Sequence, residues 1–73
     1  MSRPTPLRNR VKELRELRGG MSQAELGDAI GVTRQTIAAI EKSRYSPSLE
    51  SAFRIARLFE VGVEEVFFWS EEE

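Results

Sequence analysis

Apolar residues recur at three- and four-residue spacing along most of the chain, and each such stretch is opened by a hydroxyl residue or closed by glycine. Val11, Leu14 and Leu17 stand three apart, with Lys12, Glu13, Arg15, Glu16 and Arg18 around them. This predicts an amphipathic first helix from about Asn9 to Arg18, ended by Gly19-Gly20. Ser22 followed three residues later by Glu25 forms a capping box. A second helix is therefore expected through Ala24, Leu26, Ala29 and Ile30, ending at Gly31, where left-handed backbone costs little. Thr33 caps a third helix from Arg34 to about Lys42, with Ile37 and Ile40 as its apolar residues. Only Gly31, Val32 and Thr33 separate the second and third helices, and helices joined so tightly must cross steeply.

Ser43 to Pro47 reads as a loop, and Ser48 caps a fourth helix with a broad apolar face of Leu49, Ala52, Phe53, Ile55, Ala56 and Phe59. Val61-Gly62 breaks that helix, and a short fifth one is expected over Val63 to Val66. Phe67-Phe68-Trp69-Ser70 is β-prone and too apolar for a free tail. At the other end, Pro4 and Pro6 disfavour helix and predict an extended arm. The expected organisation is an arm over 1–8, a helical domain over 9–66 and a strand with an acidic tail over 67–73. No internal repeat is present, and low complexity is confined to Glu71-Glu72-Glu73.

Composition narrows the chemistry. Seventy-three residues allow one small domain, and a chain this short buries only about 60% of its unfolded surface. Without cysteine there is neither a disulfide framework nor a thiolate metal site, and without histidine the usual general base and commonest metal ligand are missing. The carboxylates are spread along helices and a tail, so no catalytic constellation can be assembled and no enzyme, metal or cofactor is expected. Glu71 to Glu73 reads as a solvated terminus rather than a metal site. No apolar run approaches 18 residues, and Met1 to Arg10 is basic and proline-interrupted, so a soluble, cytoplasmic protein without membrane partners is expected.

The net charge of −1 conceals an asymmetry. Residues 1–20 carry Arg3, Arg8, Arg10, Lys12, Arg15 and Arg18 against Glu13 and Glu16 alone. Residues 60–73 carry Glu60, Glu64, Glu65 and Glu71 to Glu73 with no basic residue. A polyanion responds to the local field on the face it meets, so an acidic tail held elsewhere is compatible with a basic docking face.

The segment SQAELGDAIGVTRQTIAAIE, Ser22 to Glu41, resembles the helix-turn-helix of the Cro/cI-type (Xre) regulators, with the motif spanning about 22–42. Leu26, Ile30, Val32, Ile37 and Ile40 are apolar where the two helices must pack, and Gly31 stands where the turn needs positive φ. Gly27 occupies the close approach between them, where the family usually has alanine, at a helix cost of about 1 kcal/mol. Asn9 to Arg18 is similar to the family's first helix, Tyr45 to Leu49 to its loop into helix four, and Glu64 to Trp69 to the ending of its very short members. Two departures stand out: Gly19-Gly20 makes the first connection one residue longer, and Ser43 replaces a frequent glycine, which predicts a less sharply turned backbone there. The resemblance implies an all-α, compact five-helix lambda-repressor-like DNA-binding domain. It also implies a small antiparallel β element between the N-terminal arm and the C-terminal segment at a dimer interface.

A recognition helix presents its N-terminal side chains to base edges in the major groove. Arg34 can grip guanine O6 and N7, and Gln35 adenine N6 and N7, each with two bonds. Thr36 offers a hydroxyl and a methyl, and Ala39 can touch a thymine methyl. Backbone anchoring is expected from Ser22, Gln23 and Thr33 at helix starts and from Lys42, Arg44 and Tyr45 in the following loop. The resemblance places Arg15 and Glu41 together as an internal ion pair. One module makes few base contacts, so a homodimer reading two half-sites of an inverted repeat is expected, built on Leu7, Val66, Phe67, Phe68 and Trp69. The function expected is a sequence-specific double-stranded-DNA-binding transcriptional regulator, a repressor by family habit, with no small-molecule ligand evident. The alternative is a protein-interaction module, such as an antitoxin, using the same fold; exposed Leu, Met or aromatic residues at positions 34 and 35 would favour it.

Overall fold

The computed structural model describes residues 5–70; the first four residues of the expected arm and the acidic tail Glu71 to Glu73 lie outside that range. A short strand β1 (Leu7–Asn9) leads into α1 (Val11–Leu17), α2 (Gln23–Ile30), α3 (Arg34–Glu41), α4 (Leu49–Phe59), α5 (Val63–Val66) and a final strand β2 (Phe67–Trp69). Among the described residues, five helices match those expected from the chain's pattern, and the two-stranded antiparallel ribbon matches the β element that the resemblance implies. β1 and β2 pair with Leu7 opposite Trp69, Arg8 opposite Phe68 and Asn9 opposite Phe67. The first helix is shorter than its periodicity suggests. Asn9 belongs to the strand, where its Nδ2 donates to Ile40 O and its Oδ1 accepts from Val11 N.

Hydroxyl caps set the helix starts. Ser22 Oγ accepts from Glu25 N at 3.0 Å while Ser22 N donates to Glu25 Oε1 at 2.8 Å, the reciprocal capping box. Thr33 Oγ1 accepts from Thr36 N, and Ser48 Oγ from Ser51 N. The helix ends depart from the glycine pattern. α2 does close on Gly31, at φ 85°. α3 and α4, however, close on Ser43 at φ 59° and Glu60 at φ 61°. At α3, Arg44 N donates to Ala39 O and Ser43 N to Ile40 O, a six-to-one and five-to-two pair that forces the residue between into left-handed backbone. Val61 N to Ala56 O and Glu60 N to Arg57 O repeat it at α4. The backbone at Ser43 is thus as sharply turned as a glycine would make it, and the left-handed residue after α4 is Glu60 rather than Gly62.

The core joins all the layers: Val11, Leu26, Ile30, Ile37, Ile40, Ala52, Ile55, Ala56, Phe59, Val66 and Phe67 are buried together. Leu17 and Leu49, expected on apolar helix faces, are each 75% exposed. Leu17 is the last residue of α1, where the chain is already turning away through Gly19 and Gly20. Leu49 is the first residue of α4, and helical side chains lean toward the N-terminus, so it overshoots the core; Phe53, one turn later on the same edge, is half exposed. Val66 and Phe67 correct a further expectation. Both are buried within the single chain, so of the residues assigned to a dimer interface only Leu7, half-buried, and the exposed Phe68 and Trp69 keep surface to offer.

Candidate nucleic-acid interface

α2 and α3 are bound to each other through the turn between them. Gly31 N and Val32 N both donate to Gly27 O, which draws the turn against the body of α2. Gly27 is buried, and a Cβ built on it would lie 2.7 Å from Val32 O and 3.2 Å from both Thr33 C and Thr33 O. A methyl group does not fit. The glycine is therefore required by this turn, rather than merely tolerated in place of the family's usual alanine.

That packing leaves the N-terminal end of α3 pointing out of the molecule. Arg34 and Gln35 are both exposed. Thr36 and Ala39 follow on the helix and are half-buried. The Thr36 hydroxyl lies 3.0 Å from that of Thr33, so it is partly engaged by the cap. Ser22 and Thr33, both exposed, hold the starts of α2 and α3, and Lys42, Arg44 and Tyr45 are exposed just beyond the end of α3. The capping oxygen of Ser22 accepts a backbone N–H, which leaves its hydroxyl hydrogen as a donor, whereas the Thr33 hydroxyl accepts a backbone N–H and also shares a hydrogen bond with the Thr36 hydroxyl.

Arg15 and Glu41 form the internal ion pair. Arg15 Nε meets Glu41 Oε2 at 2.6 Å and Arg15 Nη2 meets Oε1 at 3.0 Å, with side chains only 11% and 8% exposed. Arg15 Nη1 also donates to Met21 O at 2.7 Å, so one guanidinium ties the α1–α2 connection to the end of α3. The hydrogen bonds to Glu41 push the Arg15 guanidinium above its ordinary value, against the opposing effect of burial. The cation is permanent at any working pH. Gln23 joins the same network, donating from Nε2 to Glu41 Oε1 at 3.0 Å and accepting at Oε1 from Arg34 Nη1 at 3.3 Å. Among the described residues no buried side-chain polar atom lacks a partner.

Beside this network lies a cleft of about 310 Å³ lined by Lys12, Arg15, Gln23, Ala38, Glu41 and Lys42. Sequence reasoning missed Lys12. Its position on α1 gives no sign that α1 reaches the α3 surface; only the Arg15–Glu41 pair, found through the resemblance, hints that it does. Among the described residues no group of three or more His, Cys, Asp or Glu could hold a metal ion, and no helix is long and apolar enough to cross a membrane.

The helix-turn-helix family model matches residues 11–66, the whole run from α1 to α5. The chain belongs to this family, of the Xre (Cro/cI) type. It is 55% identical over 67 residues to an uncharacterized HTH-type transcriptional regulator, YgzD, of Bacillus subtilis, covering 92% of this chain and 98% of that one. An archaeal relative, the uncharacterized HTH-type transcriptional regulator MJ0272 of Methanocaldococcus jannaschii, is 43% identical over 67 residues, covering 92% of this chain and 100% of that protein. A crystal structure from Bacteroides fragilis, described as that of a candidate DNA-binding protein, superposes with a TM-score of 0.75 at 21% identity. It covers 85% of this chain and 98% of that one, and shows the shared fold.

Proposed function

We propose that this helix-turn-helix protein is a sequence-specific transcriptional regulator, most simply a repressor, that lays α3 in the major groove of double-stranded DNA. The observation that carries this reading is the outward, solvent-exposed placement of Arg34 and Gln35 at the leading end of α3. Side chains at the start of a recognition helix reach base edges, and both residues have the donors and acceptors for bidentate reading. Thr36 and Ala39 add contacts along the same groove. Ser22, Gln23, Thr33, Lys42, Arg44 and Tyr45 grip the flanking phosphates, and Lys12 joins them across the cleft it shares with Lys42. The exposed Phe68 and Trp69 of the ribbon, with the half-buried Leu7, pack two protomers into a homodimer that reads an inverted repeat, its half-sites about 34 Å apart. DNA as the partner fits a cytoplasmic protein and a function that uses neither catalysis nor a cofactor. A purely protein-binding role has less support, because the exposed end of α3 is polar where such a helix would present apolar anchors.

The test separates reading from anchoring. Gln35→Ala is expected to abolish preference at one base position, costing about 1–3 kcal/mol there. Lys42→Ala is expected to weaken binding to every sequence alike and to lower the salt slope by about one. Identical effects of both variants on all DNA tested would refute the assignment.

A further inference from the structure

The ion pair between α1 and α3 has an outlet at the reading end of α3. Glu41 is a carboxylate and can only accept, so a Gln23 amide that meets its Oε1 at 3.0 Å must do so with its NH2 group. The Gln23 carbonyl oxygen is then turned the other way, where Arg34 Nη1 meets it at 3.3 Å. A guanidinium has donors and no acceptor, so this second bond also exists in only one orientation of the amide. The amide is thus fixed at both ends by partners of opposite character. Arg15 in turn fixes Glu41 with two bonds to its two oxygens. A continuous line of donors and acceptors runs from α1 to the first residue of the recognition helix.

We propose that Glu41, acting through Gln23, is a positioning residue for Arg34: the buried carboxylate sets the amide orientation, and the amide oxygen holds the guanidinium in one direction before DNA arrives. A long side chain held in advance loses less freedom on binding, so the discrimination made by Arg34 is larger than a freely rotating arginine would give. A neutral amide at position 41 can present either oxygen or nitrogen to Gln23. The Gln23 amide is then free to turn its NH2 toward Arg34, donor against donor, and the guanidinium loses its support. Glu41 touches no base in this scheme, yet it sets how strongly Arg34 prefers its base. The proposal rests on the reading above that Arg34 contacts a base edge.

The experiment measures affinities for a bound DNA fragment carrying each of the four base pairs in turn at every position. It uses the wild type, Arg34→Ala, Glu41→Gln, Gln23→Leu, and each of the last two combined with Arg34→Ala. Arg34→Ala is expected to flatten discrimination at one position. Glu41→Gln and Gln23→Leu should each reduce discrimination at that same position by about tenfold, and neither should lower it further when introduced into Arg34→Ala. Gln23→Leu leaves the Arg15–Glu41 pair in place, so it decides the matter even if Glu41→Gln destabilises the fold. A uniform loss of affinity in Gln23→Leu reports its phosphate contact; the positional loss on top of it reports the positioning. Wild-type discrimination at the Arg34 position in Gln23→Leu, whether or not affinity falls uniformly, or discrimination lowered equally at every position, would overturn the proposal while leaving Arg34 a reader. No flattening anywhere in Arg34→Ala would overturn both.

Discussion

Replacing Gly27 with alanine sets two effects of known sign against each other. Within a helix the change is favourable by about 1 kcal/mol, because alanine loses less backbone freedom on folding than glycine. The structure opposes it. The new Cβ would stand 2.7 Å from Val32 O and 3.2 Å from two atoms of Thr33, all of them backbone. No rotamer change relieves a clash with backbone, so the turn itself must retreat. The atoms to be moved belong to Val32, whose N–H donates to Gly27 O, and to Thr33, whose side-chain oxygen caps α3. Overpacking of this kind costs about 1–3 kcal/mol, so the net expectation for Gly27→Ala is a loss of about 1 kcal/mol. In a domain of this size that lowers Tm by roughly 4–8 °C. Thermal melts followed by circular dichroism, with urea midpoints as a check, measure it directly. Because the displaced turn carries the Thr33 cap, DNA affinity should fall as well, through a tilt of α3. A variant as stable as the wild type, or more stable, would show that the turn yields freely and that the close approach does not require glycine.

Three further outcomes follow from the same geometry. Glu60→Gly should raise stability by about 0.5–1 kcal/mol, since Glu60 holds left-handed backbone on an exposed helix end, and an unchanged urea midpoint would remove that argument. Arg15→Ala should cost about 3 kcal/mol by leaving the buried Glu41 carboxylate without its cation; a loss well under 1 kcal/mol would mean that water replaces the guanidinium at no penalty. Trp69→Glu should leave the melting of the single protomer nearly unchanged, because that side chain is 62% exposed, but should shift sedimentation from dimer to monomer. An undiminished dimer would take Trp69 out of the interface.

Helix starts were legible along the chain because a cap is a local device: Ser22 with Glu25, Thr33 and Ser48 each satisfy N–H groups within three residues of themselves. The exposed, polar leading end of α3 was legible for a related reason, since Arg34 and Gln35 directly follow a cap and precede the packed Ile37. Helix ends were less so. Ser43 and Glu60 are left-handed because of bonds reaching back across a turn, and neither residue type announces it. Periodicity alone also placed Leu17 and Leu49 inside, though both sit at helix ends beyond the reach of the core.

Local spacing and residue type therefore settled the five helices, the tight turn at Gly31 and the polar leading edge of α3, because each depends on interactions spanning a few residues. Only the tertiary structure decided that Gly27 has no room for a methyl group, that Val66 and Phe67 are core, that Lys12 shares a cleft with Lys42, and that Gln23 joins Glu41 to Arg34. Those outcomes depend on where separate helices come to rest against one another, and distances between elements are set by the packing of the whole core rather than by any one stretch of chain.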